Sequence, residues 1–313
     1  MASETVSAVR TLERNISQVV LGKPQVVRYC VVALLSGEHI LLEDVPGVGK
    51  TLAGKAMSRS VDGSFARIQF TPDLLPSDIT GNSIFDNREN RFVFHEGPIF
   101  HNIVLADEIN RAPPRTQAAL LEAMSDRQVS VDGETHGLPQ PFLVIATQNP
   151  FEYEGTYVLP ESQLDRFLLR ISVGYPAREH EREILVSHRM GEPVDHLRSV
   201  TDVESIRRMQ AEVRNVRVET SLVDYLLSIV ERTRDSPDLS VGVSTRGALL
   251  WYRAVQSYAY AEGRDYVVPD DIKRLAVPVL SHRVLVRGAV QGGQREVVEA
   301  IVDRIVAETP TPV

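Results

Sequence analysis

The sequence predicts an α/β domain built on a parallel sheet, followed by a helical domain, and three observations carry that prediction. First, the runs HILLE (39–43), IVLA (103–106), FLVIA (142–146) and LLRISV (168–173) are short and rich in branched aliphatics, as strands buried on both faces of a parallel sheet are. Second, helical patterns separate them. In PPRTQAALLEAMSDR, Gln117, Leu120, Leu121 and Met124 recur at i, i+3, i+4 and i+7 behind the opening pair Pro113–Pro114. Third, strand signals fade after about residue 200 and helical stripes replace them: Trp251, Ala254, Val255 and Tyr258 form one, and Val297, Val298, Ile301 and Ile305 another. The expected division is an α/β core over 1–180, a helical linker over 181–220 and a helical domain over 221–313.

Two stretches interrupt the alternation. QVSVDGETHGLP (128–139) alternates Val129 and Val131 before Asp132–Gly133, a hairpin-turn signal. Residues 70–100 are too long and varied for a plain connection and should hold an inserted strand pair around SIFD and RFVFHEG.

The 313 residues are 43% apolar and 24% charged, which fits a soluble globular chain. No apolar run approaches the ~18–20 residues that span a bilayer, so membrane insertion is not expected. The N-terminal MASETVSAVRTLERNISQVV lacks the apolar centre of a signal peptide and reads as an amphipathic helix. Cys30 is the sole cysteine, a buried thiol suited to a reducing cytoplasm. A net charge of −8, from 42 acidic against 34 basic residues, argues against broad nucleic-acid affinity while leaving room for a local basic channel.

The chemistry concentrates at three strand ends. In HILLEDVPGVGKTLAGKAMSRS a strand runs into a glycine-bearing turn and then a helix. Asp44, Val45, Pro46, Gly47, Val48, Gly49, Lys50, Thr51 and Leu52 would form a phosphate-binding loop. Its glycines let backbone N–H groups close on phosphate oxygens, and the helix N-terminus adds partial positive charge. Lys50 would reach the β- and γ-phosphates of a bound triphosphate, and the Thr51 hydroxyl would ligate Mg²⁺. In NIVLADEIN a second apolar strand ends in Asp107–Glu108. Adjacent acids at a buried strand end are costly unless they meet a cation or donors; Asp107 would hold the hydration shell of Mg²⁺ and Glu108 would polarise the attacking water. In FLVIATQNP a third strand ends near Asn149, whose amide could position that water. Ligands of doubly wound sheets sit at the C-terminal ends of strands, and all three groups occupy such ends.

Asp44 stands where the general loop pattern has glycine. At ~10 Å from a phosphate charge and an effective dielectric of ~20, repulsion is roughly 1.7 kcal/mol per pair, modest beside Lys50, Mg²⁺ and the inward N–H groups. Aspartate also tolerates unusual backbone angles. Glu43 reads as the polar end of its strand.

The strings LLEDVPGVGKT, VLADEINRAPPRTQAALLEAM, ATQNPFEYEGTYVLPESQLDRFLLR and STRGALLW resemble the MoxR family of AAA+ ATPases, near-continuously over roughly 20–175 and more thinly to about 285. The resemblance implies an AAA+ P-loop core with a helix-2 insert at 70–100, a pre-sensor-1 hairpin at 128–139, an all-α lid, and a homo-oligomeric ring, usually a hexamer. It gives Arg166 in ESQLDRF the role of an arginine finger acting on a neighbour's γ-phosphate, where the residues alone suggest a surface arginine at a helix C-terminus. It makes Arg246, in the first turn of a helix capped by Ser244, the sensor-2 arginine, acting in cis or in trans. It sets Val20 and Gly22 beside the adenine. It also implies chaperone-like remodelling of client enzymes or complexes with a von Willebrand factor A domain partner. A metal-chelatase motor subunit, a nucleic-acid motor and a non-hydrolysing nucleotide-dependent scaffold are the alternatives. The VSVDGETHG hairpin carries no Lys or Arg, which counts against the nucleic-acid motor; Glu108 and Arg166, which binding alone would not need, count against the scaffold.

Overall fold

The computed structural model describes residues 2–44, 47–149, 155–187, 189, 191–288 and 294–312. Numbered in chain order, strands β1 (His39–Glu43), β2 (Phe65–Gln69), β5 (Ile103–Asp107), β8 (Leu143–Gln148) and β9 (Phe167–Ile171) form one sheet in the order β2-β5-β8-β1-β9. Every pairing is parallel, so the C-terminal ends of all five strands lie on one rim. Along β1, Ile40 and Leu42 pack into one core cluster and Leu41 into the other, the two-residue alternation of a strand covered on both faces.

Helices α1 (Ala2–Ser17), α2 (Pro24–Ser36) and α3 (Lys50–Val61) contribute to the first cluster, and α5 (Pro114–Asp126) to the second. The helical spacing read at Gln117, Leu120, Leu121 and Met124 is borne out, all four being buried. The edge strand β2 has no counterpart among the strands read from sequence. In FARIQ only Ile68 is fully buried, so it lacks the apolar run that marks its neighbours.

Both interruptions are hairpins. β3 (Gly81–Asp86) pairs antiparallel with β4 (Arg91–Glu96), preceded by the short helix α4 (Pro76–Thr80). β6 (Gln128–Val131) pairs with β7 (Glu134–Gly137) across Asp132 and Gly133, both at positive φ (53° and 83°), as the tight hairpin turn requires. Phe94 stacks on His136 with ring centroids 3.9 Å apart, which joins the two hairpins.

The remaining helices are α6 (Glu161–Leu164), α7 (Arg178–Ser187), α8 (Val203–Val213), α9 (Thr220–Asp235), α10 (Thr245–Ala261), α11 (Pro269–Leu280) and α12 (Gln294–Glu308). The C-terminal domain is helical but not strictly all-α: β10 (Leu239–Val241) and β11 (Leu285–Val286) form a two-stranded ribbon, too short to show periodicity. On α12 the buried stripe is Val298, Ile301, Val302 and Ile305, whereas Val297, expected inward, is 39% exposed. α10 packs against α1 and α2, and Ser36 Oγ donates to Ser257 Oγ at 2.7 Å, so the helical domain rests on the N-terminal helices. Among the described residues no helix is long and apolar enough to cross a membrane.

Candidate active site

The loop between β1 and α3 forms because Gly47 (φ 83°) and Gly49 (φ 91°) adopt left-handed backbone that other residues resist. Open space surrounds the positions where their Cβ atoms would stand. Val45 and Pro46 lie outside the described residues. Val48 and Leu52 are half-buried against the first core cluster, so their side chains anchor the loop and the helix. Thr51 is the second residue of α3. Lys50 is buried, and its Nζ donates to the Asp44 carbonyl (2.7 Å) and the Gln148 carbonyl (3.4 Å). Burial lowers the Lys50 pKa, against the opposing influence of Asp44, Asp107, Glu108 and Glu43.

Asp44 is a brace for this loop. Its Oδ2 accepts hydrogen bonds from Ser172 Oγ (2.6 Å) and Gly174 N (2.5 Å) beyond β9. It is not among the positive-φ residues, so backbone tolerance is not what explains aspartate here; two anchoring hydrogen bonds are. Glu43 is more than a polar strand end: it is buried, with Oε2 3.5 Å from Arg170 Nη1 and 3.3 Å from Arg295 Nη1.

Asp107 ends β5 and Glu108 follows it with φ 58° and ψ 49°, a left-handed conformation that costs a non-glycine residue about 1–3 kcal/mol. Thr147, fully buried on β8, ties the pair together: its hydroxyl donates to Asp107 Oδ1 (2.6 Å) and accepts from Glu108 N (2.8 Å). The other oxygen, Asp107 Oδ2, accepts from Arg67 Nη2 (2.6 Å) and Nε (3.2 Å). Glu108 Oε2 accepts from Gln69 Nε2 (2.8 Å) and lies 3.3 Å from Arg111 Nε. Asn149 directly follows β8, and its carbonyl accepts from Asn110 Nδ2 at 3.4 Å. Lys50, Thr51, Asp107, Glu108 and Asn149 thus share the rim at the C-terminal ends of β1, β5 and β8.

Arg166 and Arg246 do not join them. Arg166 immediately precedes β9, whose Phe167 pairs with His39, the first residue of β1. It therefore lies at the N-terminal rim, a strand length or roughly 16 Å from the loop. There its Nη1 donates to Leu121 O (2.5 Å) and Ser125 Oγ (2.6 Å). Arg246 reaches the same Ser125 Oγ at 3.4 Å, from an α10 capped as expected by Ser244, whose Oγ accepts from Gly247 N at 2.9 Å. Val20 is buried, and Gly22 (φ 70°) leaves room for the His180 ring. The neighbouring Lys23 Nζ donates to Tyr175 O at 2.7 Å, which sets this segment beside the chain leaving β9.

Three residues of the rim, Thr147, Arg67 and Gln69, carry no sequence motif. Thr147 reads as an ordinary strand residue, and Arg67 and Gln69 lie in the strand without an apolar run. The donor set fits a nucleotide triphosphate with Mg²⁺: a buried ammonium, two open left-handed glycines, one hydroxyl and one carboxylate, with water and phosphate oxygens completing a magnesium shell.

A parallel sheet in this order, with such a loop after β1, paired acids after β5 and a helical domain behind, defines an AAA-type P-loop module. Residues 39–169 match the family model described as "ATPase family associated with various cellular activities (AAA)", and residues 231–305 match that of the AAA lid domain. The chain is 48% identical over 301 residues to protein YeaC of Bacillus subtilis (strain 168), covering 96% of this chain and 93% of that one. It is 44% identical over 296 residues to the chaperone MoxR1 of Mycobacterium tuberculosis, covering 91% and 78%. The crystal structure of a candidate ATPase from Cytophaga hutchinsonii superposes with a TM-score of 0.90 at 34% identity, over 100% of this chain and 97% of that one. The chain belongs to the MoxR family of AAA+ ATPases.

Proposed function

We propose that the protein hydrolyses ATP with Mg²⁺ and, as a homo-oligomeric ring, uses that cycle for chaperone-like remodelling or maturation of client proteins. One observation carries the hydrolytic reading: Lys50, Asp107 and Glu108 converge on one rim, with Thr147 fixing the two acids. When ATP binds, Lys50 exchanges the Asp44 carbonyl for phosphate oxygens. Thr51 and Asp107 would hold Mg²⁺, which neutralises phosphate charge. Glu108 accepts a proton from the attacking water, which requires Gln69 to release or share its carboxylate, and Asn149 orients that water. Val20 and Gly22 border the base.

Arg166 and Arg246 act on the nucleotide of an adjacent copy, since both sit on the rim opposite their own loop. A hexameric ring, a cytoplasmic location, a von Willebrand factor A domain partner and a client enzyme or complex are inferred from the family. The nucleic-acid motor is disfavoured, because in the insert Arg91 Nε already donates to Glu89 Oε2 at 2.5 Å and the β6–β7 turn offers only Asp132 and Gly133.

The decisive variant is Glu108→Gln. It is expected to retain ATP binding while phosphate release falls by at least about a hundredfold, on the scale of general-base loss. Hydrolysis at the native rate would remove Glu108 from this role.

A further inference from the structure

At the N-terminal rim, remote from the phosphate loop, lies a cavity of about 720 Å³, within the range of ligand pockets. Among the described residues five arginines line it, Arg127, Arg166, Arg214, Arg246 and Arg253, with Glu38 as the one carboxylate. They converge from separate elements. Arg127 follows α5 in left-handed backbone (φ 54°) and donates to Gly37 O at 2.8 Å. Arg246 and Arg253, seven residues apart, share one face of α10. Arg253 Nη1 donates to Glu38 Oε1 at 2.8 Å. Among the described residues none of the other four arginines has a carboxylate within ion-pair distance. Glu38 is largely buried, and burial raises its pKa against the opposing influence of Arg253, Arg127 and Arg246. One carboxylate against five guanidinium groups in a concave site leaves a surplus of positive field, which concentrates anions, and guanidinium groups match phosphate oxygens in pairs.

We propose that this pocket is a polyphosphate acceptor in which Glu38 holds, in the single chain, the place that a second copy's triphosphate takes in the ring, and that Arg253 is a third phosphate-binding arginine beside Arg166 and Arg246. The proposal rests on the ring-ATPase reading and adds to it an internal competitor: assembly around nucleotide requires the Glu38–Arg253 pair to open.

The test uses the full chain carrying Lys50→Ala, which disables its own phosphate loop, titrated with inorganic tripolyphosphate by calorimetry. One binding site is expected. Adding Arg253→Ala weakens it by at least about tenfold, equivalent to ~1.4 kcal/mol, and adding the near-isosteric Glu38→Gln tightens it about tenfold. No binding, or an affinity indifferent to both changes, overturns the pocket. For action on a neighbour, Arg253→Ala subunits mixed with Lys50→Ala subunits should recover ATPase activity that neither shows alone, as Arg166→Ala subunits should in the same mixture. Recovery with Arg166→Ala alone overturns the role of Arg253. Tripolyphosphate binding needs no turnover, so wild-type protein that fails to hydrolyse ATP would sink the ATPase reading while the titration still decides the pocket.

Discussion

The hydroxyl of the fully buried Thr147 touches both acids of the site, accepting from Glu108 N and donating to Asp107 Oδ1. Thr147→Val keeps the shape and leaves both groups without that partner, at about 1–3 kcal/mol for each buried unsatisfied group. Turnover is expected to fall at least about tenfold with ATP affinity little changed; steady-state kinetics beside equilibrium nucleotide binding would show an unaltered rate if Thr147 were only packing. His39 makes a separate, pH-dependent contribution. Its Nδ1 accepts from Val144 N (3.0 Å) and its Nε2 faces Met124 O (3.0 Å), which suits a neutral ring. Burial pushes its pKa down to about 4 from an ordinary 6.5. As pH falls, the unfolded chain takes up this proton first, so the stability His39 lends is full above about pH 6.5 and drains away towards pH 4. The whole difference is about 3 kcal/mol, and His282, also buried with a depressed pKa, acts in the same direction. Urea midpoints should drop from about pH 7 to about pH 5, and His39→Gln should flatten that slope; an equal slope in both proteins would refute it. Lys50, Thr51, Asp107 and Glu108 were legible in the sequence because each belongs to a short contiguous motif. Thr147, Arg67 and Gln69 were not, because their meaning is a contact with a residue some forty positions away.

Among the elements, the insert hairpin depends on two glycines at its base. A Cβ on Gly81, at φ 91°, would stand 2.2 Å from His95 O, and one on Gly97 would stand 2.3 Å from Ile79 O, both immovable backbone. Gly81→Ala should therefore open β3–β4 without unfolding the sheet, since the hairpin buries little: Phe85 and Phe92 pair edge-on yet remain exposed. Hydrogen exchange over 81–96 should quicken sharply while the global unfolding free energy extrapolated from urea changes by less than about 10%, within ordinary extrapolation error; unaltered exchange would mean that the hairpin absorbs the clash. The β6–β7 turn was legible from Asp132–Gly133 because turn chemistry is local. The edge strand β2 and the β10–β11 ribbon were not. An edge strand can be half polar, and strands of two or three residues have no period to detect.

Across the whole molecule, charged groups join the loop strand to the last helix. Glu43 meets Arg170 of β9 and Arg295 of α12, Arg295 Nε donates to Glu299 Oε1 (2.7 Å), and Arg170 Nη2 reaches Ser281 O at 3.5 Å. Burial lowers the Arg170 pKa and Glu43 opposes that shift. Glu43→Ala would leave a buried guanidinium without its counter-ion, a loss of about 3 kcal/mol or more, read as a lower urea midpoint; a midpoint within error of wild type would show that water replaces the carboxylate. A second tie sits at the opposite rim. Arg283 Nε donates to Asp165 Oδ1 (2.8 Å), and Asp165 Oδ2 accepts from Ser244 Oγ (3.2 Å), which sets Arg166 and Arg246 side by side. By itself the sequence determined the loop, the acid pair, four of the five parallel strands and both hairpins, since hydrophobic period, turn chemistry and contiguous motifs act within a few residues of chain. Only the tertiary structure decided that Asp44 braces the loop, that Glu43 holds the helical domain to it, and that Arg166 and Arg246 share Ser125 away from their own Lys50. Those contacts join residues from about forty to two hundred and fifty positions apart, and strand order and domain packing, not local pattern, bring them within hydrogen-bond range.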